Sequence, residues 1–265
     1  MFVGTSSNAG KTFITALFCR YLRSRTLMVS PFKAFNLSSR TFATDEGLEM
    51  GIGQALQAWA SDLKPNVRMN PILMKAADGK LQLFVDGAEA TEKLDRPGML
   101  RHALASFDEL RDIYEAVVVE GSGSPAEINL RDSDIANVPL ASARKIPMIL
   151  IGNIEKGGVF AGIYGTWRLL REDERSLLKG FIINKYYGDT EILKDGIEHI
   201  ERLTGMKCFG ILPYMHINLP EEDSSTEECQ HSNGEIDEFI SSLDSLLENV
   251  RDRIDMDGMM RIASE

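Results

Sequence analysis

Gly4-Thr5-Ser6-Ser7-Asn8-Ala9-Gly10-Lys11-Thr12 decides the fold of this chain. Met1-Phe2-Val3 before it supply a short apolar strand, and Phe13-Ile14-Thr15-Ala16-Leu17-Phe18 after it open a helix. Small residues between a strand and a helix let backbone N–H groups curl around phosphate at the positive end of the helix. Lys11 is spaced to reach the terminal phosphates of a nucleoside triphosphate, and the Thr12 hydroxyl to ligate Mg²⁺. The candidate phosphate-binding residues are therefore Thr5, Ser6, Ser7, Asn8, Ala9, Gly10, Lys11 and Thr12. The spacing, Gly-x5-Gly-Lys-Thr, is one residue longer than the common Gly-x4-Gly-Lys-Thr pattern.

Outward from the loop, short apolar runs alternate with helical periodicity. Strands are predicted at 1–4, 27–30, 81–85, 116–120, 147–151, 180–184 and 208–212, and helices at 11–23, 51–61, 99–114 and 191–203. Continuous apolar strands separated by helices imply an α/β fold, a P-loop NTPase three-layer sandwich with a mainly parallel central sheet and helices on both faces. Ligands of such sheets bind at the carboxyl ends of the strands. No internal repeat is present.

At 265 residues the chain is long enough for one substantial core, and 43% hydrophobic with 26% charged residues is an ordinary globular composition. No apolar run approaches the ~20 residues that span a bilayer. No signal peptide precedes the loop, and Cys19, Cys208 and Cys229 form no CxxC pair, so the cytoplasm is the expected compartment, with no membrane partner. Residues 217–265 carry 14 Asp/Glu against 3 Lys/Arg, whereas residues 1–216 carry 26 of each. The net charge of −11 thus belongs to the tail. The absence of a basic face argues against nonspecific nucleic-acid binding. A boundary is expected near residue 216. It divides a nucleotide-binding domain, 1–216, from an acidic linker and C-terminal helix, 217–265. Ile236, Phe239, Ile240, Leu243, Leu246, Leu247, Val250 and Ile254 trace one face of that helix, and docking on the chain's own body is its default role.

Several strand ends carry chemistry. Val117-Val118-Val119-Glu120-Gly121 ends an apolar strand in a carboxylate, where phosphate-loop proteins commonly supply a second metal contact. Lys33, after the second strand, points at the phosphate region and could offset charge during phosphoryl transfer, or be an ordinary surface lysine. Asp45 is a further magnesium candidate, or a helix N-terminal acid favoured by the dipole. Asn184 ends another strand with an amide able to pair with an adenine edge, or simply to form a turn. The glycine-containing runs 121–132 and 153–161 each follow a strand and would line the rim beside the nucleotide.

With these segments in hand, the chain resembles the ATP-binding synthetase domain of the cobyric acid synthases, within the wider group that includes dethiobiotin synthetase. The resemblance runs from residue 1 to about 223. It is most specific at Ser124-Pro125-Ala126-Glu127-Ile128-Asn129-Leu130-Arg131-Asp132 and Gly157-Gly158-Val159-Phe160-Ala161. It implies ATP and Mg²⁺ as cofactors, with Lys11, Lys33 and Glu120 as catalytic residues. Magnesium would be held by Thr12, Asp45 and Glu120, adenine by Asn184, and the corrinoid substrate would be faced by Glu127, Asn129, Arg131 and Asp132. The implied reaction amidates corrinoid carboxylates through an acyl phosphate, in cobalamin biosynthesis. A homodimer follows only by analogy.

Three departures stand out. Asn153-Ile154-Glu155-Lys156 occupies a stretch that is usually Asp-Ile-Asp-Arg, and the first strand starts abruptly at Met1. The chain also ends where a glutamine amidotransferase domain would begin. Cys229 with His231 lacks the strand-to-helix setting of a nucleophile and reads as a chance pair. Ammonia would come from solution or from a separate glutaminase subunit, unless the family reaction is not completed. Two other readings are a dethiobiotin-synthetase-like cyclo-ligase and a nucleotide-dependent switch. Switch ATPases of the ParA/MinD type carry an early loop lysine, where this chain has Ser6.

Overall fold

The computed structural model describes residues 1–77, 80–215 and 233–263. Within these, the chain forms two compact units. One comprises residues 1–11, 121–215 and 248–263, the other residues 12–77, 80–120 and 233–247.

The first unit is built on a four-stranded sheet in the order Phe2–Gly4, Met148–Asn153, Leu178–Tyr186, Lys207–Pro213, parallel throughout. Its register sets Val3 beside Leu150, Leu150 beside Phe181, and Ile183 beside Ile211. Five consecutive buried residues in Met148–Asn153 mark a strand covered on both faces, which is why it reads as an unbroken apolar run. Val3, Leu150, Phe181 and Ile183 form the core with Ile163 and Ile200, drawn from helices Val159–Leu169 and Lys194–Thr204. The edge strand Lys207–Pro213 is closed by the C-terminal segment, where Gly210 and Ile254 form an antiparallel bridge. Gly210 has φ 147°, and a Cβ there would lie 2.1 Å from the Arg253 carbonyl oxygen, so only glycine admits this crossing. Asp255 then accepts from the Gly258 N–H at 2.7 Å and starts helix Met256–Ala263.

The second unit holds helix Lys11–Ser24 from Thr12 onward and the parallel pair Val29–Phe32 and Ala116–Val119. A mixed sheet in the order Phe35–Ser38, Ile72–Ala77, Lys80–Val85, Ala88–Glu89 follows, with a short antiparallel pair, Thr41–Ala43 and Glu49–Gly51. The segment predicted as a strand at 81–85 is therefore one arm of an antiparallel hairpin rather than a central parallel strand. Its exposed start, with Leu81 64% exposed, reflects one wet face. Helix Ile52–Ala60 is buried at all nine positions. Ile236 and Phe239 of helix Asn233–Val250 pack against its Ile52, Ala55, Leu56 and Trp59 cluster. Arg20 adds a two-pronged ion pair to Asp244, at 2.6 and 2.8 Å. The periodicity that predicts one long tail helix is interrupted after Val250, because Ile254 is taken up in the bridge to Gly210.

Candidate nucleotide and metal site

In the first unit, the loop after Phe2–Gly4 is rooted by the Thr5 N–H donating to Ile151 O at 2.9 Å. Asn8 (φ 58°) and Gly10 (φ 98°) take left-handed conformations that fold residues 5–10 into a tight turn before the helix at Lys11. Ser6, Ser7 and Asn8 are exposed on its outer lip, whereas Ala9 is buried. Asn184, near the end of strand Leu178–Tyr186, donates its amide N–H to the Ala9 carbonyl at 2.9 Å. A Cβ on Gly10 would lie 2.1 Å from that same Asn184 nitrogen, so Gly10 is needed for space as well as for φ. Lys11 curls back, with Nζ donating to Ser6 O at 3.3 Å. Asn184 thus supports the loop directly, a use that neither the adenine nor the turn reading anticipates.

The second unit gathers a dense polar cluster on one carboxylate. Glu120 is 1% exposed. Its Oε1 accepts from the Thr12 hydroxyl at 2.9 Å and from Lys33 Nζ at 2.9 Å. Its Oε2 accepts from Gln54 Nε2 at 3.3 Å and from Gln57 Nε2. Gln57 Nε2 also donates to the Thr12 carbonyl at 3.2 Å. Lys33 is 3% exposed, so it is no surface lysine. Its carbonyl accepts from Asn70, whose own Oδ1 accepts from the Gly51 N–H at 2.9 Å. Asn36 Nδ2 donates to Gln54 Oε1 at 3.0 Å. A buried carboxylate is tolerable only because donors on both oxygens and a cation replace its hydration. Gln57 Oε1 finds no donor among the described residues, an arrangement that costs about 1–3 kcal/mol.

The sequence reading brings Thr12, Lys33 and Glu120 together but assigns no role to Gln54 and Gln57. The available signal was two amides three residues apart on an otherwise apolar helix, where a burial-driven pattern would carry hydrocarbon. Cys19 lies in the same unit. Burial, outweighing a hydrogen bond with Ser61, pushes its thiol up to about 12, so it is no nucleophile at neutral pH.

Other candidates stand elsewhere. Asp45 is a surface group, its carboxylate 74% exposed and 2.8 Å from Lys64 Nζ. Among the described residues, no cluster of three or more His, Cys, Asp or Glu side chains is arranged to hold a metal. Glu127 accepts from the Ser124 N–H at 3.0 Å and so shapes its own loop. Arg131 pairs with buried Glu174, whose hydrogen bond raises the guanidinium pKa further. Asn129 and Asp132 are exposed, flanked by the exposed apolar side chains Ile128 and Leu130. Asn153, the departure from the usual Asp, accepts from the Glu155 N–H at 2.9 Å and caps its own turn. Cys229 and His231 lie outside the described residues.

A strand-loop-helix of this form, with Lys11-Thr12 opening the helix, matches a known family model over residues 1–226, the CobQ/CobB/MinD/ParA nucleotide binding domain. The chain belongs to that family. Cobyric acid synthase of Thermoanaerobacter sp. (strain X514) is 44% identical over 86% of this chain and 46% of its own length. Cobyric acid synthase of Aliivibrio fischeri is 45% identical over 86% and 48%. Probable cobyric acid synthase of Methanoregula boonei is 46% identical over 84% and 48%. The chain spans about half the length of these curated relatives. Among solved structures, the signal recognition particle receptor FtsY from Elizabethkingia anophelis covers 92% of this chain and 64% of its own at 13% identity and a TM-score of 0.48, too remote to add to the family assignment. Among the described residues, no helix is long and apolar enough to cross a membrane.

Proposed function

We propose that this chain activates corrinoid carboxylates with ATP, as the synthetase part of a cobyric acid synthase reaction in cobalamin biosynthesis. The observation that carries the proposal is the Thr12 hydroxyl on the Glu120 carboxylate, in a chain 44% identical to a cobyric acid synthase over 86% of its length. A hydroxyl and a carboxylate oxygen are the hard donors that suit magnesium, so the residues present fit that ion. Thr12 and Glu120 would hold it. Bound there, magnesium supplies charge neutralisation to the phosphates.

Residues Thr5–Gly10 cradle the phosphates by backbone N–H groups, and Lys11 leaves the Ser6 carbonyl for the terminal phosphates. Asn184 keeps an amide oxygen for the adenine amino group while its nitrogen holds Ala9. A substrate carboxylate oxygen attacks the γ-phosphorus, the bond to the β-phosphate oxygen breaks, and ADP leaves. Lys33 and Lys11 offset the charge that spreads over the transferring group. Ammonia then attacks the acyl carbon, loses a proton, and expels phosphate, giving the amide. Glu127, Asn129, Arg131 and Asp132, with the apolar Ile128 and Leu130 between them, face the corrinoid.

Ammonia comes from solution or from a glutaminase, and a homodimer is the expected assembly by analogy. The nucleotide-binding domain is placed at residues 1–216, helices Asn233–Val250 and Met256–Ala263 belong to the tail after it, the expected linker at 217–232 lies outside the described residues, and the protein works in the cytoplasm. The test is ADP release from ATP and Mg²⁺ with cobyrinic acid diamide and ammonium. Stimulation by both additions supports the ligase. Nucleotide binding without stimulation favours a switch, the role of other branches of this superclass.

A further inference from the structure

We infer that Gln54 and Gln57 are positioning residues that fix the Glu120 carboxylate for its metal, an inference that rests on the metal role proposed for Glu120. The two amides sit three residues apart in helix Ile52–Ala60, both fully buried, and both donate to the same oxygen, Oε2. Rotation of the carboxylate therefore breaks two hydrogen bonds at once. With Oε2 so occupied, Oε1 is the oxygen turned to the Thr12 hydroxyl and Lys33.

The orientation of each amide is dictated by its neighbours. Asn36 donates to Gln54 Oε1, which commits the Gln54 nitrogen to Glu120. Reversing Gln57 would set a carbonyl oxygen against the carboxylate. Gln57 further donates to the Thr12 carbonyl at 3.2 Å, so one side chain touches both residues assigned to magnesium. Gly51 makes room for this arrangement. A Cβ there would lie 2.1 Å from Asn36 Nδ2 and 2.7 Å from Gln54 Oε1. Amides that touch the ligands rather than the ion commonly change metal affinity by about 10–100-fold when removed.

The experiment compares ATP affinity by calorimetry with Mg²⁺ and with EDTA, for the wild-type chain, Glu120→Gln, Gln54→Met and Gln57→Met, alongside thermal melts. Methionine keeps the volume and removes the donor. The expected result is that Gln57→Met loses about 10-fold or more of the magnesium-dependent gain in ATP affinity while its affinity in EDTA is unchanged, with a smaller loss for Gln54→Met. Gln57→Asn, which keeps an amide but withdraws it by one methylene, is read the same way should the methionine variant not fold. A lowered melting temperature with a wild-type magnesium gain in both glutamine variants would overturn the inference while Glu120→Gln still loses the gain. An undiminished gain in Glu120→Gln would instead remove the metal role of Glu120 itself.

Discussion

Lys33 Nζ lies 2.9 Å from Glu120 Oε1, and neither group is more than 3% exposed. This is a buried ion pair, and its oxygen also takes the Thr12 hydroxyl, so the cation at the centre of the second unit is a side chain of the protein itself. Removing one member takes away a counter-charge 2.9 Å from the other in a dry setting. Lys33→Met is expected to lower stability by about 3–5 kcal/mol, read from urea unfolding. The double variant Lys33→Met/Glu120→Gln should regain much of that loss, because the carboxylate charge is gone. Additive losses would mean that the pair is not coupled as the geometry indicates.

Lys11→Ala should abolish ATP turnover while the melting temperature stays near that of the wild-type chain. The ammonium donates to a loop carbonyl, Ser6 O, at 3.3 Å. Undiminished hydrolysis in this variant would remove Lys11 from the phosphate site.

Gly10→Ala tests the loop by shape alone. At φ 98° an alanine is strained, at a cost on the order of 1 kcal/mol, and its Cβ would press on the Asn184 amide. Loss of ATP binding with only this modest destabilisation is the expected outcome, measured by calorimetry and denaturant titration. Asn184→Ala should weaken ATP binding too, because the same contact holds Ala9.

Both described cysteines should be inert in the folded protein. Burial pushes Cys19 up to about 12 and Cys208 up to about 11, so at pH 8 neither carries appreciable thiolate. Iodoacetamide labelling followed by peptide mass mapping should find both unmodified at pH 8 and both labelled in urea. Rapid native labelling of Cys19 would contradict its burial.

The main strands were legible because a parallel sheet buries its strands on both faces, and Val117–Val119 and Met148–Ile151 read as unbroken apolar runs for that reason. Of the short antiparallel pairs, the arm at 81–85 was read as a strand, whereas Thr41–Ala43, Glu49–Gly51 and Ile72–Ala77 were not, since a hairpin with one wet face alternates weakly over so few residues. Helix Val138–Arg144, seven residues with a proline at its second position, is too short to display a period. In the site, Lys11, Thr12 and Glu120 announced themselves by spacing and strand position. Gln54 and Gln57 did not, because buried amides acquire meaning only when the carboxylate they serve is in view. Asn184 was visible as a strand-end amide, but its hold on Ala9 crosses 175 positions of sequence and needed the fold.

The most direct test of the account follows oxygen. The chain is supplied with ATP, Mg²⁺, ammonium and cobyrinic acid diamide labelled with oxygen-18 in its free carboxylates, and the released phosphate is analysed by mass spectrometry. Activation through an acyl phosphate predicts that each phosphate carries a single label, taken from the carboxylate whose carbon–oxygen bond breaks as the amide forms. Unlabelled phosphate accompanying amide formation would contradict it.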